Sequence, residues 1–232
     1  MQEVYYIEMR LKAKTMEKIK FENKLEFRMY ARAKLSKSYN CYKRDKVISR
    51  QILELISRLN PHAILLYIPL AIESNIHTVL LQARKKCDVF VPFMEGISFK
   101  MVKYRLPLEI KRFNIKEPKN SFAPKPKIDL AIVPVIGVDG ALKRIGFGKG
   151  MYDRFFDSLS PQPTTVFVQR EVCMTPTRLG EEHDIEADIY LTPYQIIIQR
   201  GHNGLRVTSG RCGSSQRRSR VFHRQKDGSS QL

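Results

Sequence analysis

Hydrophobic residues recur at helical intervals in three stretches of the N-terminal half. The stretch between residues 47 and 59 is the clearest, and it stops at Asn60-Pro61. A later helix is predicted to begin at Ser74 or Asn75, whose side chains can cap it, and to run to Ala83. The first stretch is broken by many charges, and its apolar face is predicted to consist of Ile19, Leu25, Met29 and Ala33.

Short apolar runs alternate with these helices. They cover residues 63–68, 89–91, 99–104, 129–134, 165–168, 189–191 and 196–198. The run at 129–134 is almost continuously apolar, which is typical of a parallel strand covered on both faces. The alternation predicts an α/β fold, a three-layer sandwich in which helices cover both faces of a mostly parallel central sheet.

The composition changes at both ends of the chain. Residues 200–232 are rich in Gly, Ser, Arg and Gln and poor in apolar residues, which predicts a disordered basic tail. An RNA-binding arm and a non-native terminus are the alternative interpretations of this tail. Residues 1–15 are predicted to be an N-terminal extension, so the α/β domain is assigned to residues 16–199.

The formal net charge is +18, and the tail alone holds eight basic residues against one acidic residue. Much of the remaining excess lies before residue 50, where a solvated helix face is the simpler interpretation and an anionic ligand is the alternative. No apolar run approaches the ~20 residues of a membrane helix, and the four cysteines are too scattered for a metal or redox motif. We interpret the chain as a cytoplasmic monomer without a membrane or nucleic-acid partner.

A glycine-rich run, Arg-Ile-Gly-Phe-Gly-Lys-Gly-Met-Tyr-Asp at residues 144–153, follows the strand at 129–134 and leads into a predicted helix. Glycines let the backbone approach an anion closely, so phosphate is a natural ligand. Lys149 could neutralise its charge, and Asp153 could hold a bridging Mg²⁺. The run matches neither the P-loop nor the dinucleotide fingerprint, which needs a glycine where this chain has Met151. On spacing alone, a plain turn is an equally good interpretation.

This run, together with the strand at 129–134 and Gly137-Val-Asp139, resembles the most distinctive block of the 5-formyltetrahydrofolate cyclo-ligase family. Similar segments follow the family order at 24–28, 68–73, 91–93, 113–118 and 183–192, so the resemblance covers about residues 20 to 195. It implies conversion of 5-formyltetrahydrofolate and ATP into 5,10-methenyltetrahydrofolate, ADP and phosphate, through phosphorylation of the N5-formyl oxygen and attack by N10. Two departures are Met151, in place of an aromatic residue, and a longer segment at 174–182.

The resemblance also implies site residues. ATP is expected to contact Lys24, Arg28, Arg144, Gly146, Gly148, Lys149, Gly150, Met151 and Tyr152. The folate, with or without a polyglutamate chain, is expected to contact Ile68, Glu73, Phe113, Phe147, Gly148, Lys149, Gly150 and Met151, with Glu117 as a weaker candidate. Lys149, Tyr152 and Arg144 are the expected catalytic residues, and Asp153 and Asp188 the expected Mg²⁺ ligands.

Simpler roles exist for several of these residues. Without the resemblance, Lys24, Arg28 and Glu73 are interpreted as solvated surface, and Asp188 as the cap of a strand start. Two other functions also stay open from the sequence. One is a diverged ATP- or pterin-binding member of the fold, and the other is a nucleic-acid-binding protein that uses its basic ends.

Overall fold

The computed structural model of the chain describes residues 4–5, 19–110, 116–119 and 126–199. Within these ranges the helices are α1 (Lys24–Ser36), α2 (Cys41–Leu59), α3 (His77–Ala83) and α4 (Met151–Asp157). The strands before residue 120 are β1 (Val4–Tyr5), β2 (Ala63–Leu65), β3 (Asp88–Glu95), β4 (Ser98–Lys103), β5 (Glu109–Ile110) and β6 (Lys116–Glu117). The later strands are β7 (Leu130–Pro134), β8 (Gly137–Val138), β9 (Arg144–Ile145), β10 (Thr164–Val168), β11 (Ile189–Leu191) and β12 (Ile196–Gln199).

These strands form one large sheet and two small ribbons. The eight-stranded sheet has the order β1, β12, β11, β10, β7, β2, β3, β4. Its inner strands from β11 to β3 are parallel, whereas β4, β12 and β1 each pair antiparallel with a neighbour. Strand β5 pairs with β6, and β8 with β9, in separate two-stranded ribbons. The predicted mostly parallel central sheet is confirmed.

Helices cover both faces of this sheet. Helices α2 and α3 pack on one face, where Ile52 of α2 meets Ile64 of β2 in the larger apolar cluster. On the other face, Phe156 of α4 lies in a second cluster with Leu65 of β2. Because successive residues of a strand point to opposite faces, both faces of β2 are apolar. The continuous apolar runs of the sequence reflect this double covering, and the predicted three layers are present.

Helix α1 packs beyond the carboxyl ends of the strands. Its buried residues are Phe27, Ala31 and Leu35. They form a third cluster with Ile145 of β9 and other residues that follow β7. The predicted apolar face of this helix was wrong, because Leu25 and Met29 are 64% and 61% exposed. A highly charged helix offers two weak apolar stripes, and contact with the β8–β9 ribbon selects the stripe that the sequence pattern did not favour.

Other element boundaries differ from the sequence-based predictions in informative ways. Helix α2 begins six residues before the predicted start, at Cys41. Asn75 contributes a side-chain oxygen that accepts a hydrogen bond from the His77 N–H at 3.0 Å, just where α3 begins. Strand β1, inside the predicted N-terminal extension, pairs with β12. The tail from residue 200 onward lies outside the described residues, so its disorder stays a prediction.

The strand order creates a crevice at one edge of the sheet. From β2 the chain passes to β3 on one side, and it then returns to place β7 on the other side of β2. Ligands of open parallel sheets bind at the carboxyl ends of the strands beside such a reversal. The segments that follow β2 and β7 therefore meet where a ligand site is expected. No helix in the described part of the chain is both long and apolar enough to cross a membrane.

Candidate active site

Arg144, at the start of β9, lies at the centre of the crevice. Its guanidinium group donates to the Pro134 carbonyl oxygen at the end of β7 and to Asp153 Oδ2, both at 3.3 Å. The same group lies 4.8 Å from the ring centre of Tyr152. The side chain is buried, and its Nε is one of few buried polar atoms in the described ranges that have no hydrogen-bond partner. Arg144 is thus held between the end of β7 and helix α4, and its Nε is a donor still without a partner.

The glycine run wraps around this arginine. A Cβ at Gly146 would lie 2.3 Å from Arg144 Nη1, so only glycine leaves room for the guanidinium group. Gly148 has a φ of +101°, a backbone conformation that other residues rarely adopt. Arg28 on α1 donates from Nε to the Gly146 carbonyl oxygen at 2.9 Å. The run therefore fits tightly between Arg144 and Arg28.

A polar cavity of about 680 Å³ opens on the α1 side of the glycine run. Its lining includes Asp153 and six predicted ATP contacts in α1 and the glycine run: Lys24, Arg28, Arg144, Gly146, Gly148 and Gly150. The segment from Arg178 to Asp184 forms the opposite wall. We call this space the nucleotide cavity, because its cations and backbone suit phosphate groups.

Lys24 is paired across the nucleotide cavity. Its ammonium group donates to Asp184 Oδ2 at 2.5 Å and to Glu181 Oε1 at 2.9 Å. Burial works to lower the pKa of Lys24, but the hydrogen bonds to these two carboxylates outweigh it and raise the pKa. The hydrogen bond from Lys24 correspondingly lowers the pKa of Glu181. Lys24 is therefore an ion-paired wall of the cavity and not the solvated surface residue that its sequence context alone suggests.

A second cavity of about 430 Å³ lies on the other side of Arg144. Its apolar and aromatic walls include the predicted folate contacts Ile68, Phe147 and Met151, together with Tyr152, which was predicted as an ATP contact and a catalytic residue. Phe99 of β4 adds an aromatic edge, with its ring centre 4.9 Å from that of Tyr152. We call this space the folate cavity, after the predicted folate contacts that line it. Arg144 and Gly150 line both cavities, which therefore adjoin.

Glu73 is the acidic group of the folate cavity, and it is buried to 8% exposure. Its Oε2 accepts a hydrogen bond from the Leu70 N–H at 3.0 Å. Burial raises the pKa of Glu73 to about 7, although this hydrogen bond and the positive fields of Arg144 and Arg170 oppose the change. The predicted solvated alternative for Glu73 is therefore wrong. Burial also raises the pKa of the Tyr152 hydroxyl, and the nearby Glu73 carboxylate adds to that effect.

A buried ion pair holds the loop that carries Glu73. Arg170, just after β10, donates from Nε and Nη2 to the two oxygens of Asp45 on α2, at 2.7 and 3.0 Å. Its Nη1 donates to the Ala71 carbonyl oxygen at 3.2 Å. Tyr67, which ends the β2 run, donates from its hydroxyl to the Ser74 carbonyl oxygen at 2.8 Å. These hydrogen bonds to Ala71 and Ser74 hold the loop on both sides of Glu73, so the position of the Glu73 side chain is fixed.

The two predicted magnesium ligands do not lie together. Asp188 precedes β11 at the amino end of the strands, where its Oδ2 accepts from the Thr165 N–H at 2.6 Å. That is the strand-start role considered above as its alternative. Asp153 lies at the opposite edge and accepts from the Ile185 N–H at 3.5 Å, next to Asp184. Asp184, four residues before Asp188, is the acidic residue of that block that lines the nucleotide cavity. Asp153 and Asp188 therefore do not share a cavity in this structure, where Asp184 is the carboxylate that lines the same space as Asp153, and the roles of Asp153 and Asp188 as Mg²⁺ ligands stay predictions.

The donor set in the nucleotide cavity fits a metal ion that arrives with phosphate. Within the described ranges, no three His, Cys, Asp or Glu side chains are grouped closely enough to hold a metal by themselves. Mg²⁺ is usually bound by one or two carboxylates together with phosphate oxygens and water. Asp153 and Asp184 supply two such carboxylates in a cavity that Lys24, Arg28 and Arg144 also line. The residues thus fit a Mg²⁺–nucleotide complex better than a metal ion alone.

Three predicted residues remain, and each has a different environment. Lys149, inside the glycine run, is exposed and lines the folate cavity. Glu117 lines the same cavity but is buried, and its Oε1 accepts from the Met94 N–H at 3.0 Å, which gives it a packing role. Phe113 lies outside the described residues, so its folate contact stays a prediction.

The sequence-based reasoning missed residues in both cavities. Asp184 belongs to the segment 183–192 that the resemblance identified, but the Mg²⁺ ligand was predicted at Asp188 of the same segment. Tyr67 lies two residues beyond the end of β2, and a polar group so close to the carboxyl end of a parallel strand is a signal of the crevice. Arg178 and Leu179 lie in a loop without a recognisable pattern, and only the folded structure brings them to the nucleotide cavity.

Known proteins share this fold. The structure is similar to the NMR structure of the 5,10-methenyltetrahydrofolate synthetase of Aquifex aeolicus, with a TM-score of 0.67 and 22% identity over 81% of this chain and 98% of that one. It is also similar to the 5,10-methenyltetrahydrofolate synthetase of Mycoplasma pneumoniae, with a TM-score of 0.58 and 17% identity over 73% of this chain and 98% of that one. No curated protein sequence is similar enough to count as a match.

The family assignment rests on the sequence itself. The model of the 5-formyltetrahydrofolate cyclo-ligase family matches residues 18–193. This range includes α1, the glycine run and the residues that line the two cavities. That range is more than two thirds of the chain and contains nearly all of the described fold. The chain therefore belongs to the 5-formyltetrahydrofolate cyclo-ligase family and is a ligase of folate one-carbon metabolism.

Proposed function

We propose that this chain converts 5-formyltetrahydrofolate to 5,10-methenyltetrahydrofolate with ATP and Mg²⁺, releasing ADP and phosphate. The observation that carries the proposal is the position of Arg144, which lines both cavities and is buried with an unpartnered Nε. A phosphoryl transfer between two ligands needs a fixed positive charge where they meet. Arg144 is the group in that position.

The proposed nucleotide contacts follow from the first cavity. Lys24 and Arg28 lie one helical turn apart on α1, so both side chains reach the same phosphate groups. The backbone of Gly146, Gly148 and Gly150 borders the same space. Asp153 and Asp184 would hold Mg²⁺, which supplies charge neutralisation of the phosphate oxygens when it is bound.

The proposed folate contacts follow from the second cavity. Ile68, Phe147 and Met151 provide apolar walls for the pterin. Glu73 provides one carboxylate oxygen that the Leu70 N–H does not use. Tyr152 reaches toward Arg144 from the folate side and would orient the formyl group for transfer.

The chemistry explains why the site is built mainly for positioning. The formyl oxygen is a poor leaving group until the terminal phosphoryl group of ATP is transferred to it. In the resulting iminium phosphate, N10 attacks the formyl carbon, phosphate departs, and N10 loses its proton as the ring closes. Arg144 and Lys149 would stabilise the negative charge on the transferred group and on the departing phosphate.

The test is the near-ultraviolet absorbance of the methenyl product. Purified protein is mixed with 5-formyltetrahydrofolate, ATP and Mg²⁺, and each component is omitted in turn. The proposal expects absorbance to grow only in the complete mixture. A flat trace from folded protein would refute it and would favour a diverged ATP- or pterin-binding member of the family.

The role of Lys149 has its own test. Lys149→Ala is expected to raise the ATP requirement or abolish turnover, and Lys85→Ala, an exposed lysine just beyond α3, serves as the matched control. Equal kinetics in the two variants would remove Lys149 from the site. The monomeric state and the cytoplasmic location stay predictions, and the folate is expected with or without a polyglutamate chain.

A further inference from the structure

Asp139 lies in the turn of the β8–β9 ribbon and is completely buried. Its Oδ1 accepts hydrogen bonds from the N–H groups of Ala141 and Lys143 at 2.8 and 2.9 Å. Its Oδ2 accepts from the N–H groups of Leu179 and Gly180 at 3.0 and 2.8 Å. Hydrogen bonds to a carboxylate are about twice as strong as neutral ones. One side chain therefore fastens two segments that are far apart in the sequence.

These two segments form opposite walls of the nucleotide cavity. The turn leads directly into β9 and the glycine run, which carry Arg144, Gly146 and Gly148. The segment on the other side carries Arg178, Leu179, Glu181 and Asp184. Two more hydrogen bonds join the same walls. Lys143 Nζ donates to the Glu181 carbonyl oxygen at 2.5 Å, and the Arg144 N–H donates to the Ile185 carbonyl oxygen at 2.8 Å.

We propose that Asp139 is the positioning residue of the nucleotide cavity, because its carboxylate sets the distance between the glycine run and the Arg178–Asp184 wall. This inference rests on the proposed use of that cavity for ATP. Asp139 does not itself line the cavity, and it acts through the backbone N–H groups of Leu179, which does line it, and of Gly180. The folate cavity is not lined by the 178–184 segment, so the effect of Asp139 is selective for the nucleotide.

A carboxylate is the group that this position requires. Asparagine has the same shape, but its amide nitrogen is a donor and would face two N–H groups of one segment. The β8–β9 turn is short and local, whereas the 178–184 segment is long, so the wall at 178–184 is the part expected to move. Gly180 tests the same contact independently, because a Cβ there would lie 2.6 Å from Lys143 side-chain atoms and 3.1 Å from Asp139 Oδ2.

The experiment compares Asp139→Asn and Gly180→Ala with the wild-type chain. The methenyl absorbance assay gives kcat and KM for each substrate, and calorimetric titration with ATP and Mg²⁺ gives nucleotide affinity without turnover. Both variants are expected to raise the KM and the Kd for ATP by roughly tenfold or more, from the loss of charge-assisted hydrogen bonds. The KM for 5-formyltetrahydrofolate is expected to stay within about twofold of wild type.

Asp129→Asn is the matched control, because Asp129 Oδ2 also accepts two backbone hydrogen bonds, from His62 and Ala63, but at the amino-end edge of the sheet. It is expected to lower stability without changing the ratio of the two KM values. Loss of stability in Asp139→Asn with an unchanged Kd for ATP, or equal rises in both KM values, would overturn the inference. If the wild type binds ATP but makes no methenyl product, the proposed function fails while the affinity comparison still decides the role of Asp139. If Asp139→Asn does not fold, Gly180→Ala decides.

Discussion

Replacing Glu73 with glutamine is expected to stabilise the protein at neutral and alkaline pH and not at acidic pH. Burial raises the pKa of Glu73 from its ordinary 4.5 to about 7. The unfolded chain therefore releases this proton at a lower pH than the folded chain does. Between pH 4.5 and 7 the unfolded chain loses this proton while the folded chain keeps it, because a charged carboxylate would be poorly solvated in the buried site. The free energy of unfolding therefore falls as the pH rises through this range.

The magnitude follows from the same two pKa values. Each pKa unit corresponds to about 1.4 kcal/mol of free energy, so the charged carboxylate costs about 3 kcal/mol of folding free energy above pH 7. Glutamine does not titrate, and its amide oxygen can still accept the hydrogen bond from the Leu70 N–H. The stability difference between Glu73→Gln and wild type is thus expected to grow from near zero at pH 4.5 to about 3 kcal/mol at pH 8.

Urea unfolding at a series of pH values measures this difference directly. Glu54→Gln is the control, because the Glu54 carboxylate is 59% exposed and lies 4.0 Å from Arg50 in an exposed pair. Its stability difference from wild type is expected to change little with pH. A Glu73→Gln difference that is constant across the series, or that is largest at acidic pH, would refute the burial argument. A change in the urea dependence of the unfolding free energy would instead show that the unfolded state had changed.

Three further outcomes test the site. Arg144→Lys is expected to lower kcat/KM about a hundredfold, because a lysine cannot contact Pro134 and Asp153 together. The melting temperature is expected to stay nearly unchanged. Steady-state kinetics and thermal unfolding measure the two quantities. Gly146→Ala should reproduce that loss, since its Cβ would displace the guanidinium group, and an unchanged kcat would contradict it. Asp184→Asn is expected to raise the Mg²⁺ and ATP requirements, whereas Asp188→Asn is expected to cost about 1 kcal/mol of stability and leave both requirements unchanged. The reverse pattern in a magnesium titration would restore Asp188.

The sheet could be predicted from sequence because burial on both faces leaves a local signature. Strand β7 is apolar throughout, and its predicted and observed bounds differ by one residue. The site could be predicted where it is one continuous segment, as in the glycine run. Prediction failed where a contact between distant segments decides the outcome. The buried stripe of α1 depends on β9, and the choice between Asp184 and Asp188 depends on which end of the sheet each one reaches.

Three polar groups that are unusual in a core lie at one edge of the sheet. Glu73 is a buried carboxylate without a hydrogen-bonded cation among the described contacts, and Arg144 keeps an unpartnered Nε in a buried position. Ser74, next to Glu73, also has a buried hydroxyl without a hydrogen bond in the described part of the chain. Each of these costs stability, and such costs persist where function requires them. The stabilisation expected of Glu73→Gln should therefore be accompanied by weaker folate binding. A variant that became more stable and kept full activity would show that the cost of burying Glu73 serves no catalytic purpose.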